Sequence, residues 1–189
     1  MTTQSVLQDA AFAQLAARRL LALGISPTAV FEGTGFGQAL LDQQAPTAPT
    51  GRITRFFAHA EKLSGDDLFG VHLARSCGLK EAGLLGYMCL SAPSWRCYLH
   101  GLAQYAAVLS DSWTLNASAL DSDGRLAWTC KSGPASRARH YAEFLAVLFL
   151  SGLRQASGGH VRPTQVCFPH LRGGGVEEME VALECPIRF

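Results

Sequence analysis

The chain has 189 residues, of which 48% are hydrophobic, and its 16 basic residues (Lys and Arg) nearly balance its 15 acidic ones. This balance excludes a domain-wide positive field that would collect DNA phosphates, and the length suffices for one domain with a substantial core. No apolar run reaches the roughly eighteen residues that a bilayer span needs, and the first residues, MTTQSVLQDAAFAQ, lack the features of a secretory signal. We therefore expect a cytoplasmic protein that does not bind DNA by itself.

The first half of the chain is predicted to be helical. Apolar residues recur at helical spacing over residues 6–23, and Ser26 followed by Pro27 is typical of a second helix start. A loop rich in Pro and Thr occupies residues 45–51. Residues 53–63 then carry an apolar stripe that predicts another helix.

Three more segments complete this half. Ser64 begins the stretch SGDD, which supplies an N-cap and first-turn acids for a helix that stops near Gly78. Residues 84–90 are too apolar to face water, so they must lie against other elements. Ser91 or Ser94 begins the next helix, which has one apolar side.

The pattern changes in the second half. Two short alternating runs within residues 113–130 flank Asp-Ser-Asp-Gly, which is typical of a β-hairpin. Residues 136–155 then predict a helix that is apolar nearly all round. Strands or extended segments are predicted at residues 162–170 and 179–189, with a glycine-rich loop between them.

These elements define the fold class as α+β. A helical N-terminal half, about residues 1–110, precedes a small antiparallel β-sheet packed on a long helix, about residues 111–189. We expect both parts to belong to a single effector-binding and dimerisation domain, residues 1–189.

The sequence offers little that is typical of an enzyme. It lacks a G-x-S-x-G elbow, an H-E-x-x-H helix and a P-loop. The 6 cysteines include no pair at the two-residue spacing of zinc or redox motifs, so we interpret them as small core residues and expect no metal. Several carboxylates fall where solvated helix faces or caps would place them, namely Asp42, Glu61, Asp66, Asp67, Glu143 and Glu177.

Four segments follow one another in a suggestive order: GLLGYMCLSAPSWRCYLHGLAQYAAVLSD, YAEFLAVLFLSGLRQ, VRPTQVCFPH and LECPIRF. In order and wording they resemble the amino-terminal effector domain of AraC/XylS transcriptional regulators of the arabinose-binding type. The family pattern differs at Gln104, where arginine is usual, and in the short glycine-rich stretch RGGGVEEMEV. The residues that carry the resemblance span most of the chain and are Gly83, Leu85, Gly86, Tyr87, Tyr105, Leu109, Ser110, Asp111, Pro163, Val166, Phe168, His170, Cys185, Pro186 and Phe189.

The resemblance implies a ligand-sensing domain of a bacterial one-component transcription factor. Such a domain would bind a small, largely apolar metabolite, form a homodimer and bias the presentation of helix-turn-helix motifs by a population shift. That DNA-binding domain is expected downstream and is absent from this chain. We expect no cofactor and no membrane partner.

Candidate ligand residues combine apolar surface with a few polar groups, as small-molecule sites do. Most of them lie on or beside the helix that begins near Ser94, and plain core packing is the alternative interpretation of the aromatic and Met residues. The set is Tyr87, Met88, Trp95, Arg96, Tyr98, His100, Tyr105 and Phe144.

The long apolar helix is the candidate dimer interface. The sheet predicted beside it covers one face, so either the helical half of the same chain or a second copy must cover the rest. The residues proposed for the interface are Val147, Leu150, Leu153 and Arg154.

A haem-based gas sensor is the alternative function. A helical half, a hairpin, a long helix and final strands also look like the layout of haem nitric-oxide/oxygen binding domains, in which a helix histidine before the hairpin ligates iron. His100 stands at about that place, but the stretch TCKSGPASRAR has no tyrosine at the spacing of the Tyr-x-Ser-x-Arg motif of those domains. The missing motif favours the regulator interpretation.

Overall fold

A computed structural model of the chain describes residues 7–44, 46–78, 84–109, 113–130 and 135–189. Helices dominate these residues and the strands are short, which confirms the α+β fold class. Among the described helices, none is both long and apolar enough to cross a membrane. Three residues of the family resemblance, Gly83, Ser110 and Asp111, lie outside the described ranges.

The N-terminal half is helical, as predicted. Ser26 accepts a hydrogen bond from the Ala29 amide and Ser94 accepts one from the Cys97 amide, so both predicted helix starts are confirmed. The elements are α1 (Ala11–Ala22), α2 (Pro27–Phe31), a 3₁₀ helix (Gln38–Asp42), α3 (Thr50–Ser64), α4 (Phe69–Ser76), α5 (Leu84–Ser91) and α6 (Trp95–Leu109).

The first predicted helix begins later than its apolar pattern indicates. Leu7–Asp9 forms strand β1, which pairs antiparallel with β2 (Thr47–Pro49) in the connector that was predicted to be a loop. The side-chain amide of Gln14 donates to the carbonyls of Leu40, Leu41 and Gln43, which holds this connector beside α1. Long-range pairing thus overrides local helical propensity at the start of the chain.

The second half contains the predicted hairpin and long helix. Two strands of the hairpin pair antiparallel, with Trp113 opposite Cys130, and a short helix occupies their connection in place of a tight turn. The helix that follows the hairpin is the longest element. The elements are β3 (Trp113–Asn116), α7 (Leu120–Asp123), β4 (Ala127–Cys130), α8 (Ala135–Ala156), β5 (Val166–Cys167), α9 (Val176–Leu183) and β6 (Ile187–Arg188).

The prediction of a strand or extended segment over residues 179–189 was wrong for its first part. Residues 179–183 belong to α9, and Ile187–Arg188 forms a strand in a parallel pair with Val166–Cys167. Glu177 and Glu178 in the first turn suit a helix N-terminus. Buried Met179, Ala182 and Leu183 follow a period of 3.6 residues and not of two, so α9 lays one apolar face on the core.

Helix α8 is the centre of the packing. It contacts α3, α4, α5, α6 and α9, which cover it from several sides. Phe144 has no exposed surface and lies between Phe12 and Phe57, with ring centroids 5.0 and 5.2 Å away. On the hairpin side, Trp128 meets Phe149 edge-on at 5.7 Å. The helical half of the same chain therefore covers most of the apolar helix.

Two glycines allow close approach to α8. A Cβ atom at Gly70 in α4 would overlap the backbone carbonyl of His140, and one at Gly152 in α8 would overlap the Tyr98 hydroxyl. Backbone cannot move aside as a flexible side chain can, so Gly70 fixes the distance between α4 and α8.

We expect Gly70→Ala to destabilise the protein by about 1–3 kcal/mol, because the added methyl group overpacks the contact between α4 and α8. Urea unfolding measures the change. Gly51→Ala is the matched control, since Gly51 is also helical and has open space around its Cβ position, and it should be neutral or slightly stabilising. Equal stability of the two variants would contradict the close approach.

Candidate functional site

The structure divides the predicted ligand residues into two groups. Tyr98 and Phe144 are buried in the core. The others are partly or largely exposed on α5 and α6, with Tyr87 the most exposed at 72%. Residues 84–90 were expected to avoid water, and that prediction was wrong for Tyr87 and for Leu90, which is 50% exposed.

Tyr98 ties α6 to the long helix. Its hydroxyl donates to the Phe149 carbonyl at 3.3 Å, and burial raises the pKa of this phenol far above its ordinary value. On α5, the Cys89 thiol donates to the Gly152 carbonyl at 3.1 Å, and burial raises its pKa as well. Both helices are therefore joined to α8 by buried side chains.

The polar candidates face the hairpin. His100 Nε2 lies 3.0 Å from one carboxylate oxygen of Asp121, and Arg96 Nε lies 3.3 Å from the other. The Arg96 guanidinium also lies 4.5 Å above the ring of Trp95. His100, on which the haem alternative depends, is thus engaged with α7 on the surface.

One apolar candidate, Met88, lies where α5 meets α6. Its methyl carbon would lie 3.3 Å from a Cβ atom at Gly101, and Tyr105 follows Gly101 by one turn on the same side of α6. We use the name α5–α6 face for four apolar side chains of these two helices that are not fully buried. They are Tyr87, Met88, Leu90 and Tyr105, of which all but the half-buried Met88 are exposed.

A buried ionic cluster surrounds Glu143 of α8, away from the contacts that α5 and α6 make with this helix, and the sequence analysis missed it. Glu143, interpreted as a solvated carboxylate, has no exposed surface, so that prediction was wrong. Its Oε1 accepts hydrogen bonds from His170 Nε2 and Arg172 Nη1, each at 2.9 Å. A charge within the apolar run YAEFLAVLFL was the available signal, because every face of such a helix is covered.

Arg172 extends the cluster to the loop before α4. Its Nη2 donates to the backbone carbonyl of Asp67 at 2.7 Å and to the Asp67 carboxylate, which also accepts from Arg139 at 2.6 Å. Burial raises the pKa of Asp67, but the two arginines outweigh this effect and hold the pKa below its ordinary value. The loop, α8 and the segment after β5 are thereby joined.

Glu61, Asp67 and His140 place ligand atoms within 4.8 Å of one another, as a metal site would require. However, two arginines bind the Asp67 carboxylate, and His140 Nε2 lies 2.9 Å from Arg139 Nη2. The guanidinium groups already bind the lone pairs of the Asp67 carboxylate and of His140 Nε2, and their positive charge would repel a metal cation. We interpret the group as part of the ionic cluster.

The candidate dimer residues are distributed unevenly. Val147 and Leu153 are buried within the single chain, whereas Leu150 and Arg154 are half-buried. Arg154 Nη1 lies 3.7 Å from Glu184 Oε1. Dimerisation through α8 stays a prediction, for which only the latter two residues offer appreciable surface.

Comparison with protein families agrees with this architecture. The model of the arabinose-binding domain of AraC transcription regulators, N-terminal, matches residues 24–189. The chain therefore belongs to this family, and the resemblance seen in its sequence is confirmed. This membership makes it a ligand-sensing regulatory domain. A comparison with curated proteins gave no match.

We expect Arg172→Met to destabilise the protein by about 3–5 kcal/mol, because it leaves the buried Glu143 carboxylate without its cationic partner. Arg162→Met is the matched control. Arg162 forms an exposed ion pair with Glu184 at 3.4 Å, so its loss should cost under about 1 kcal/mol. Denaturant unfolding of both variants measures the difference, and similar losses would show that the cluster does not stabilise the fold.

We expect His140 to make the free energy of unfolding depend on pH. Burial, assisted by the charge of Arg139, lowers the pKa of His140 from 6.5 to about 4. The unfolded chain then binds this proton more readily than the folded one, so stability is full above pH 6.5 and declines as the pH falls toward 4. The slope from this group reaches about 1.4 kcal/mol per pH unit.

His140→Gln has no imidazole to protonate. We therefore expect its unfolding free energy to fall less steeply than that of the wild type over this acid range. Parallel stability curves for the two proteins would mean that the folded state tolerates the charged imidazole.

Proposed function

We propose that this chain is the effector-sensing domain of an AraC-type transcription factor and binds a small, largely apolar metabolite at the α5–α6 face. The observation that carries the proposal is the exposure of Tyr87 (72%), Leu90 (50%) and Tyr105 (45%) on two helices that pack directly on α8. Contiguous apolar patches on a soluble domain often mark binding sites, so we propose that these exposed side chains of two adjacent helices contribute to one.

The hydrogen bonds that join α5 and α6 to α8 could transmit the effect of ligand binding. A ligand that shifts α5 or α6 acts on the hydrogen bonds from Cys89 and Tyr98 to carbonyls of α8. Helix α8 also carries Glu143, which binds the segment after β5. Differential affinity for two arrangements of these helices would shift their populations and so the presentation of a DNA-binding domain.

The proposal is tested with a metabolite screen by thermal unfolding. A ligand that binds only the folded state raises the melting temperature. At a free concentration one hundred times its Kd, it adds about 2.7 kcal/mol to the free energy of unfolding. We expect Tyr87→Ala to reduce the shift without changing the melting temperature of the free protein, since Tyr87 is largely exposed.

Val181→Ala is the matched control, because Val181 is similarly exposed but lies on α9. It should leave the ligand-induced shift unchanged. A ligand whose shift is insensitive to Tyr87→Ala, or equally reduced in both variants, binds elsewhere and contradicts the site.

We further propose that the domain acts as a homodimer through the partly exposed side of α8 that contains Leu150. The support is membership of a family of transcription regulators, since a two-fold symmetric dimer would suit paired half-sites on DNA. Sedimentation of the wild type should give a dimer and that of Leu150→Glu a folded monomer. A monomeric wild type would contradict the proposal.

A further inference from the structure

Three buried polar atoms of the ionic cluster have no hydrogen-bond partner among the described residues, namely His140 Nδ1, Glu143 Oε2 and His170 Nδ1. The first two of them face each other. They lie 4.0 Å apart on successive turns of α8, and their side chains are 4% and 0% exposed. This separation is too long for a direct hydrogen bond, so the two atoms do not satisfy each other.

The hydrogen of His140 can be placed from its neighbour. An arginine side chain only donates hydrogen bonds, so His140 Nε2, 2.9 Å from Arg139 Nη2, is an acceptor. His140 is neutral near pH 7, because burial lowers its pKa to about 4. Its single ring proton is therefore on Nδ1, which makes that atom a donor.

Glu143 provides the opposite partner. Its Oε1 accepts from His170 and from the positively charged Arg172, as a carboxylate does. Its Oε2 is then a second acceptor, and no described residue donates to it. A donor and an acceptor thus face each other across 4.0 Å.

We propose that the position between His140 Nδ1 and Glu143 Oε2 is a binding site for one hydroxyl group. The hydroxyl oxygen accepts from His140 and its hydrogen is donated to Glu143. At hydrogen-bond lengths of about 2.8 Å, one oxygen atom reaches both partners. An ammonium group cannot accept from His140, and a carboxylate cannot donate to Glu143, so neither fits.

The hydroxyl group belongs either to a water molecule or to an alcohol group of a small molecule. The ligand proposed at the α5–α6 face is not that molecule, because α5 and α6 pack on the other side of α8 from Glu143. The site therefore stands independently of the proposed function.

High-resolution crystal structures of the whole chain test the site. The wild type should show an oxygen atom within about 3.2 Å of both His140 Nδ1 and Glu143 Oε2. Isolated density would identify water. Density that continues into a carbon skeleton, together with added mass in native mass spectrometry of the purified protein, would identify an alcohol group of a bound small molecule.

Two variants distinguish the roles of the two ring nitrogen atoms of His140. The amide of His140→Asn reaches the position of Nδ1 and can still donate to the hydroxyl oxygen, so this variant should keep it. The amide of His140→Gln reaches the position of Nε2 and keeps the contact with Arg139, but it lacks the donor, so the hydroxyl should be lost.

The proposal is overturned if the wild type has no density between the two atoms, if they bond directly, or if His140→Gln keeps the oxygen. The wild-type density alone decides the matter if a variant fails to fold. A metabolite screen without any hit would count against the proposed function and leave a water-filled site intact, so the two failures are distinguishable.

Discussion

The structure depends on the pairing of one buried carboxylate. Glu143 lies inside the most enclosed helix of the described chain, where an unpaired charge would cost several kcal/mol. Its partners, His170 and Arg172, come from the segment that follows β5. That segment must therefore be in place for the charge on α8 to be paired. Arg172 then reaches Asp67 before α4, so three parts of the chain are assembled around a single charge.

This arrangement gives α8 two distinct sides. On one side it accepts hydrogen bonds from Tyr98 and Cys89, which belong to the helices of the α5–α6 face. On the other it holds the last part of the chain through Glu143. A domain that senses a ligand needs an element whose position both the ligand and the output segment influence, and α8 has the contacts for that role.

The sequence predicted those features that depend on local chemistry. Ser26 and Ser94 cap helices where their spacing indicated, and the runs around Asp-Ser-Asp-Gly form a hairpin. It also predicted the family, because four ordered segments carry the resemblance.

The sequence did not predict features that depend on long-range contacts. The pairing of β1 with β2 brings together residues about forty positions apart, which no local pattern reports. Cysteines were expected in the core, and Cys89 and Cys185 are buried, but Cys97 and Cys167 are exposed. Which side chains of α5 and α6 are exposed to solvent likewise depends on the packing of those helices.

Through its bonds with His170 and Arg172, Glu143 holds the last part of the chain against the helical core. Hydrogen exchange of the wild type and of Glu143→Met, which has a similar shape but no acceptor, tests this role most directly. We expect amides of β5, α9 and β6 to lose protection in the variant while those of α1 and α3 keep theirs. Wild-type protection throughout residues 166–188 in the variant would contradict this role.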